Sequence, residues 1–293
     1  MGATQDAEAL IEEARALEAS KPERALKLYL AAAERDRYNL DVHNALERLR
    51  APQSYGRWMR VDCTIDPRDE IYRFFATHPL ASNPIREYLA DGWRTLSELM
   101  EILEAVDRPL MCCRSLLEFA SGFGRFTRHL ARVLPGRVTV SDVQRGSVDF
   151  ARAQFGVKGF YSEGDPSALR IPGKHDVVFV LSMFTHLPPR RWGAWLQALF
   201  AAVEPGGVLI FSVHNEAHGR ELGVSYGGDG THFVASSESA SLDPNAYGTT
   251  FTTRSFVEHQ VAQALPGRAF HYREIAFWNG QDAIVVENAA AGS

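Results

Sequence analysis

Residues 115–124 read S-L-L-E-F-A-S-G-F-G, and R-F-T-R-H-L-A-R follows at 125–132. An apolar run ends in Glu118. Ala120, Ser121, Gly122 and Gly124 come next, and then an amphipathic run begins. That order predicts a strand turning into a helix, with small residues letting a ligand close on the backbone at the helix N-terminus. Ala120 stands where a first glycine is often found, and Thr127 takes the place of the third glycine of a dinucleotide-binding turn. The small residues say only that a ligand comes close. The carboxylate says more: a pyrophosphate is dianionic, and Glu118 would repel it in a site of lowered dielectric. A cationic ligand is the better match.

Outward from this turn the chain alternates short apolar runs with helical patterns. Strands are expected at 115–119, 137–141, 159–162, 176–181, 207–213, 269–277 and 282–287, and helices at 124–134, 145–155 and 190–204. The strands are continuously apolar, which suits a mostly parallel sheet with helices on both faces. The fold class is thus α/β and Rossmann-like. In such sheets ligands sit at the carboxyl ends of the strands. The second strand, R-V-T-V-S-D, ends in Asp142, 24 residues after Glu118, followed by Val143. A carboxylate there accepts both ribose hydroxyls of an adenosine. The third unit ends in Gly164-Asp165-Pro166, where Asp165 either accepts from the adenine amine or simply makes a turn before proline. The fourth ends in Leu181, Ser182, Met183, Phe184 and His186, facing the reactive end of the ligand or the acceptor. The fifth, V-E-P-G-G-V-L-I-F-S-V-H, places a turn at 205–207 and ends its strand at His214. Residues 215–250 break the alternation; they are rich in Gly, Ser, Asn and Asp, as functional loops often are.

S-adenosylmethionine carries a sulfonium and an ammonium on an adenosine, so it meets both demands. Glu118 can hold its ammonium directly or through water. Taken together the segments resemble the class I S-adenosylmethionine-dependent methyltransferases: L-L-E-F-A-S-G-F-G at 116–124 is similar to their first motif, Asp142 to the ribose position, Gly164-Asp165 to the adenine side, and E-P-G-G-V-L at 204–209 to the segment before the fifth strand. The resemblance covers about residues 109–287. It implies a seven-stranded sheet whose last strand is antiparallel. It also implies a cofactor site from Glu118, Ala120, Ser121, Gly122, Gly124, Asp142, Val143, Asp165, Pro166, Leu181 and Ser182. A narrower resemblance, to bacterial methyltransferases associated with glycosyltransferases, rests on Y-L-A-D-G-W at 88–93, G-F-G-R-F-T-R-H-L at 122–130, F-T-H-L-P at 184–188, Y-G-T-T-F at 247–251 and G-Q-D-A-I-V-V at 280–286. It implies a glycan, sugar-nucleotide or natural-product acceptor.

A hydroxyl acceptor must lose its proton as it attacks, and histidine suits that role near neutral pH. Of ten histidines, His214 ranks first by its place at a strand end, and His186 second, with a structural role for His186 slightly favoured. Phe184, His218, Tyr226 and Tyr247 are candidates to line the acceptor pocket. Trp192 and Trp195 share a helical apolar face with Leu196, Leu199, Phe200 and Val203 and are expected to pack. Two readings compete. A nicotinamide-dependent oxidoreductase shares Asp142 but not the glutamate. A non-catalytic, cofactor-binding scaffold would keep the same cofactor positions.

The 293 residues are 45% hydrophobic and 23% charged, with a net charge of −5. A core can form, and a basic footprint for nucleic acid is absent. Three cysteines argue for a reducing, cytoplasmic setting and against a disulfide scaffold, and no spacing suggests a metal site. No apolar run approaches the roughly 18 residues of a membrane span. Residues 1–50 show two helical runs, and A-L-x-x-Y-x-x-A-A at 25–33 resembles one tetratricopeptide unit. A lone unit cannot build a solenoid. It is expected to form a helical hairpin, with a docking arm for a protein partner or self-association as the alternative. Residues 51–108 read as a linker with helices near 68–77 and 84–105. The catalytic domain is placed at 109–293 with its insertion at 215–250.

Overall fold

The computed structural model describes residues 2–237 and 239–289. Two compact units divide the chain, one up to Ala90 and one from Asp91.

The first unit contains α1 (Gly2–Leu17), α2 (Pro22–Arg35), α3 (Leu40–Arg48), the short α4 (Tyr55–Met59), α5 (Glu70–Thr77) and the start of α6 (Pro84–Ala105). Residues 2–48 thus form three helices, not the two-helix hairpin expected. The third starts where the Asn39 side chain accepts from the backbone N–H groups of Asp41 and Val42. Ala14, Ala25, Tyr29, Ala32, Val42 and Ala45 bury a small core in which alanines let the helices approach closely. The supposed linker is also structured: Cys63, Ile65, Tyr72, Ile85, Tyr88 and Leu89 share a second core. The boundary expected after residue 108 therefore falls within α6.

The second unit holds β1 (Leu116–Phe119), α7 (Thr127–Val133), β2 (Val138–Asp142), α8 (Ser147–Phe155), β3 (Lys158–Tyr161), β4 (His175–Val180), α9 (Trp192–Phe200), β5 (Val203–His214), α10 (Glu216–Glu221), β6 (Thr231–Val234), β7 (Thr249–Thr252), α11 (Arg254–Ala264), β8 (Phe270–Phe277) and β9 (Gln281–Glu287). Seven strands form one sheet in the order β3-β2-β1-β4-β5-β9-β8. The first five pair in parallel, and β9 runs antiparallel to both neighbours. This is the Rossmann-like α/β sheet expected, with its reversed last strand. The winding changes direction between β1 and β4, which opens a crevice at their carboxyl ends.

Every residue of β1 is buried, because helices cover both faces. Leu117, Trp195, Leu199, Leu209 and Val257 belong to one core cluster, and Leu99, Phe126, Leu130, Phe179 and Val285 to the other. Trp192 and Trp195 pack as expected. Two local differences stand out. Strand β5 starts at Val203 and takes in Pro205-Gly206-Gly207, where a turn was expected, with a register shift against β4 between His175 and Val177. Gly207 permits this, since a Cβ there would lie 2.6 Å from the Asp176 carbonyl oxygen. The insertion is also more than a loop: it carries α10 and a hairpin of β6 with β7. Among the described residues, no helix is long and apolar enough to cross a membrane.

Candidate active site

The turn after β1 has the left-handed backbone that its small residues allow. Ala120, Gly122 and Gly124 have φ of 61°, 55° and 80°. An alanine in that region costs about 1 kcal/mol relative to glycine. A Cβ on Gly122 would meet nothing within 4 Å, so its surface is open to a ligand. A Cβ on Gly124 would lie 2.5 Å from the Phe155 ring, so that glycine serves packing.

Glu118 lies beneath this turn and is only 5% exposed. Its Oε2 accepts from the Thr127 hydroxyl at 2.7 Å. Thr127 is thus no mere substitute for a glycine; it holds the carboxyl that the sequence singled out. Burial pushes the Glu118 pKa up to about 8; the Thr127 bond and the Arg125 charge oppose the rise, and nearby Asp142 adds to it. A buried carboxyl of that kind is completed by a cation.

Asp142 ends β2 and is 6% exposed. Its Oδ2 accepts from the Gly122 N–H and its Oδ1 from the Gln144 N–H, each at 2.7 Å. It therefore fastens the turn from the neighbouring strand. Val143 beside it exposes an apolar face, 40% accessible. Asp165 is fully exposed and caps its own turn, accepting from Ser167 N–H at 2.9 Å, and that bond lowers its pKa. The turn role weighed against adenine recognition is the one seen in the bonding. Gly164 is held through its carbonyl by the Arg191 guanidinium, and Pro166 is half-buried.

At the end of β4, Ser182 is in the left-handed region with φ 60°. Its N–H donates to Ser212 Oγ at 2.8 Å, and its hydroxyl bonds the Gln281 side chain. Ser212 Oγ also donates to Gln281 Oε1 at 2.7 Å. This trio joins β4, β5 and β9 at the site's edge, beside the half-buried Leu181. Phe184 requires a correction. It is fully buried, its ring 4.7 Å from Phe211 and 5.1 Å from Trp192, so it belongs to the core and not to an acceptor pocket.

The two candidate histidines are held in the same way. His186 Nδ1 lies 2.7 Å from the Gly248 carbonyl, and its ring stacks on Tyr247 at 4.5 Å. His214 Nδ1 lies 2.9 Å from the Thr250 carbonyl, and its ring stacks on Phe251 at 4.3 Å. A carbonyl can only accept, so Nδ1 carries a proton in both. His186 is buried and His214 half-buried. Tyr247, expected at the acceptor, is engaged with His186. Tyr226 donates to the Glu216 carbonyl at 3.1 Å, and His218 lies 3.6 Å from Glu221, so both help to fold the insertion. Among the described residues, no three His, Cys, Asp or Glu side chains gather to hold a metal.

Sequence reasoning missed Thr127, Gln281 and the pair Asp91–Arg125, in which the guanidinium bonds the carboxylate beside the glycine turn. Only Thr127 left a signal, a hydroxyl one turn into the helix that follows the glutamate.

Residues 116–207 match the family model described as a methyltransferase domain. Solved structures of similar shape include an S-adenosylmethionine-dependent methyltransferase from Clostridium acetobutylicum ATCC 824, at 15% identity, covering 68% of this chain and 93% of that one, with a TM-score of 0.49. A magnesium protoporphyrin IX methyltransferase from Synechocystis PCC 6803, with bound SAH, is similar at 14% identity over 75% of this chain and 94% of that one, TM-score 0.49. An O-methyltransferase family protein from Burkholderia thailandensis is similar at 15% identity over 86% of this chain and 72% of that one, TM-score 0.47. No curated protein matches the chain. The segment that carries Glu118, Asp142 and the β4 edge is thus the one that matches a methyltransferase domain, and S-adenosylmethionine is the cofactor that accords with it.

Proposed function

We propose that the chain is an S-adenosylmethionine-dependent methyltransferase whose acceptor is a hydroxyl oxygen on a small molecule or glycan. The observation that supports this best is the pair of buried carboxyl groups, Glu118 and Asp142, on either side of an open glycine turn. When bound, the cofactor supplies a methyl group activated on a sulfonium, for in-line transfer to the acceptor.

The residues of the chain divide the remaining work. Glu118 takes the ammonium of the ligand, directly or through water, and ionises as it does so. Asp142, at the end of β2, accepts the ribose hydroxyls. Val143 and Pro166 flank the adenine, and Asp165 accepts from its amine. Ala120, Ser121, Gly122 and Gly124 bring the backbone close, and Leu181 and Ser182 border the reactive end. His214 is the proposed base. Its Nδ1 bond to the Thr250 carbonyl fixes the ring, and the imidazole takes the hydroxyl proton as the oxygen attacks. His186 positions the insertion, while His218, Tyr226 and Tyr247 border the acceptor. The glycan or natural-product class rests on the motif resemblance alone. A cytoplasmic setting rests on the low, odd cysteine count of the sequence alone.

Calorimetric titration with S-adenosylhomocysteine and with NAD tests the cofactor. Tighter binding of NAD would overturn the reading in favour of an oxidoreductase. Turnover across panels of hydroxyl-bearing glycans and natural products tests the reaction. Tight S-adenosylhomocysteine binding with no turnover on any of them would favour a non-catalytic scaffold.

A further inference from the structure

A cleft of about 530 Å³ opens in the second unit, lined by Arg190, Arg191, Asp243, Asn245 and Ala246. None of these residues belongs to the cofactor positions. The two walls of the cleft continue from one clasp. The Gly248 N–H donates to the His186 carbonyl at 2.9 Å, and His186 Nδ1 lies 2.7 Å from the Gly248 carbonyl. On one side the chain runs from His186 through Leu187, Pro188 and Pro189 to the arginines, which end a short 3₁₀ turn at Pro189–Arg191. The Leu187 carbonyl accepts from Thr250 Oγ1 at 2.7 Å and from the Trp192 indole N–H at 3.1 Å, so this wall is fixed. On the other side Asp243, Asn245 and Ala246 lead into Tyr247, whose ring stacks on His186. Arg191 also reaches the turn after β3, where its Nη2 donates to the Gly164 carbonyl. The cleft thus stands on the rim of the crevice, by the carboxyl ends of β3 and β4.

Its charge favours an anion. Two guanidiniums meet one carboxylate there, in a chain whose net charge is −5. Asp243 turns its Oδ1 to its own loop, accepting from the Asn245 N–H at 3.0 Å and from the Asn245 side-chain amide at 3.1 Å. The arginines give α9 nothing: that helix begins at Trp192, and cations at a helix start meet the positive end of its dipole. Size narrows the ligand further. Pockets for organic molecules run to about 300–1,000 Å³, so the cleft suits an organic anion better than a bare ion. A guanidinium fork matches the oxygens of a phosphate or a carboxylate in two parallel bonds.

We infer that this cleft receives the oxyanion of the methyl acceptor, so that the hydroxyl compound carries a phosphate or a carboxylate. This rests on the methyltransferase reading above. Bound there, the acceptor is anchored beside the His186–Tyr247 clasp, at the edge of the crevice.

Calorimetry on the full chain saturated with S-adenosylhomocysteine tests this with three sugars: glucose 1-phosphate, glucuronate and glucose. The wild-type protein is expected to bind one of the two anions at least about tenfold more tightly than glucose, and which one it prefers separates phosphate from carboxylate. Raised salt should erode that preference. Arg190→Gln changes an exposed side chain. It should weaken the preferred anion by about tenfold and keep S-adenosylhomocysteine affinity within about twofold, which also reports an intact fold. Asp243→Asn should tighten the anion by about twofold to threefold, because it removes a like charge from the cleft. A wild-type protein that binds S-adenosylhomocysteine but prefers neither anion to glucose would overturn this inference alone. So would unchanged anion affinity in Arg190→Gln, or equal loss of both ligands in that variant. A wild-type protein that does not bind S-adenosylhomocysteine removes the methyltransferase reading, and this inference with it.

Discussion

The two sides of the site are built differently. On the glycine-turn side, buried carboxyl groups stand beside an open turn: Glu118 accepts from a hydroxyl, and Asp142 from two backbone N–H groups. On the insertion side, the polar groups are spent on the protein itself: His186 and His214 each grip a carbonyl and stack on an aromatic ring. The first side is a receptor waiting for charge. The second is a scaffold that fixes ring orientation. One side should therefore govern affinity and the other rate, and variants can separate them.

The sharpest separation is His214→Ala. Turnover on an acceptor found by the panel should fall by about 10²–10⁴-fold, while S-adenosylhomocysteine affinity stays unchanged. A wild-type rate would remove His214 as the base, and lost cofactor affinity would erase the division between the two sides. Next comes Asp142→Ala, which deletes the ribose acceptor and frees the Gly122 N–H. Calorimetric affinity should drop by roughly a hundredfold. Unchanged affinity would dismiss Asp142 from the site.

Glu118→Gln probes the receptor side without ligand. In the ligand-free fold the Glu118 carboxyl stays neutral until about pH 8, against an ordinary value of 4.5. Between those values the unfolded chain is the one that gives up the proton, so rising pH favours unfolding. Wild-type stability from this group is full below pH 4.5, falls through the window and levels off above pH 8. The glutamine variant lacks that loss. It should be more stable than wild type at pH 8 by on the order of a few kcal/mol, and close to it at pH 4. Denaturant melts at the two pH values measure this, and a pH-independent difference would contradict the neutral carboxyl. The same carboxyl should release up to about one proton per ligand bound at pH 7, which titrations in buffers of different ionisation enthalpy detect. The smallest effect belongs to Ala120→Gly. Relief of the left-handed backbone at φ 61° should stabilise the protein by at most about 1 kcal/mol. A destabilised variant would mean that the alanine methyl packs usefully.

Legibility followed the same division. The strands around Glu118, Asp142 and Ser182 could be read because each is a local apolar run that ends in a telling residue. The glutamate's importance was readable from charge alone. Thr127 was misread, since its meaning depends on a side chain nine residues away across the turn. The insertion side was nearly opaque. His186 finds its carbonyl 62 residues later and His214 finds its own 36 residues later, and a carbonyl belongs to every residue type. Phe184 was misplaced for a related reason: position after a strand suggests a pocket, but Trp192 and Phe211 close over the ring. The N-terminal segment hid its third helix because Asn39, its cap, looks like any turn asparagine.

The carbonyls of Gly248, immediately before β7, and of Thr250, within it, are two residues apart, and each meets a different histidine. In an extended strand such carbonyls point the same way. A slip of one residue would release both at once, so the length of chain through 248–252 is not negotiable. The two histidines are thus placed by one short segment, and the spacing of its carbonyls sets the spacing of the two rings.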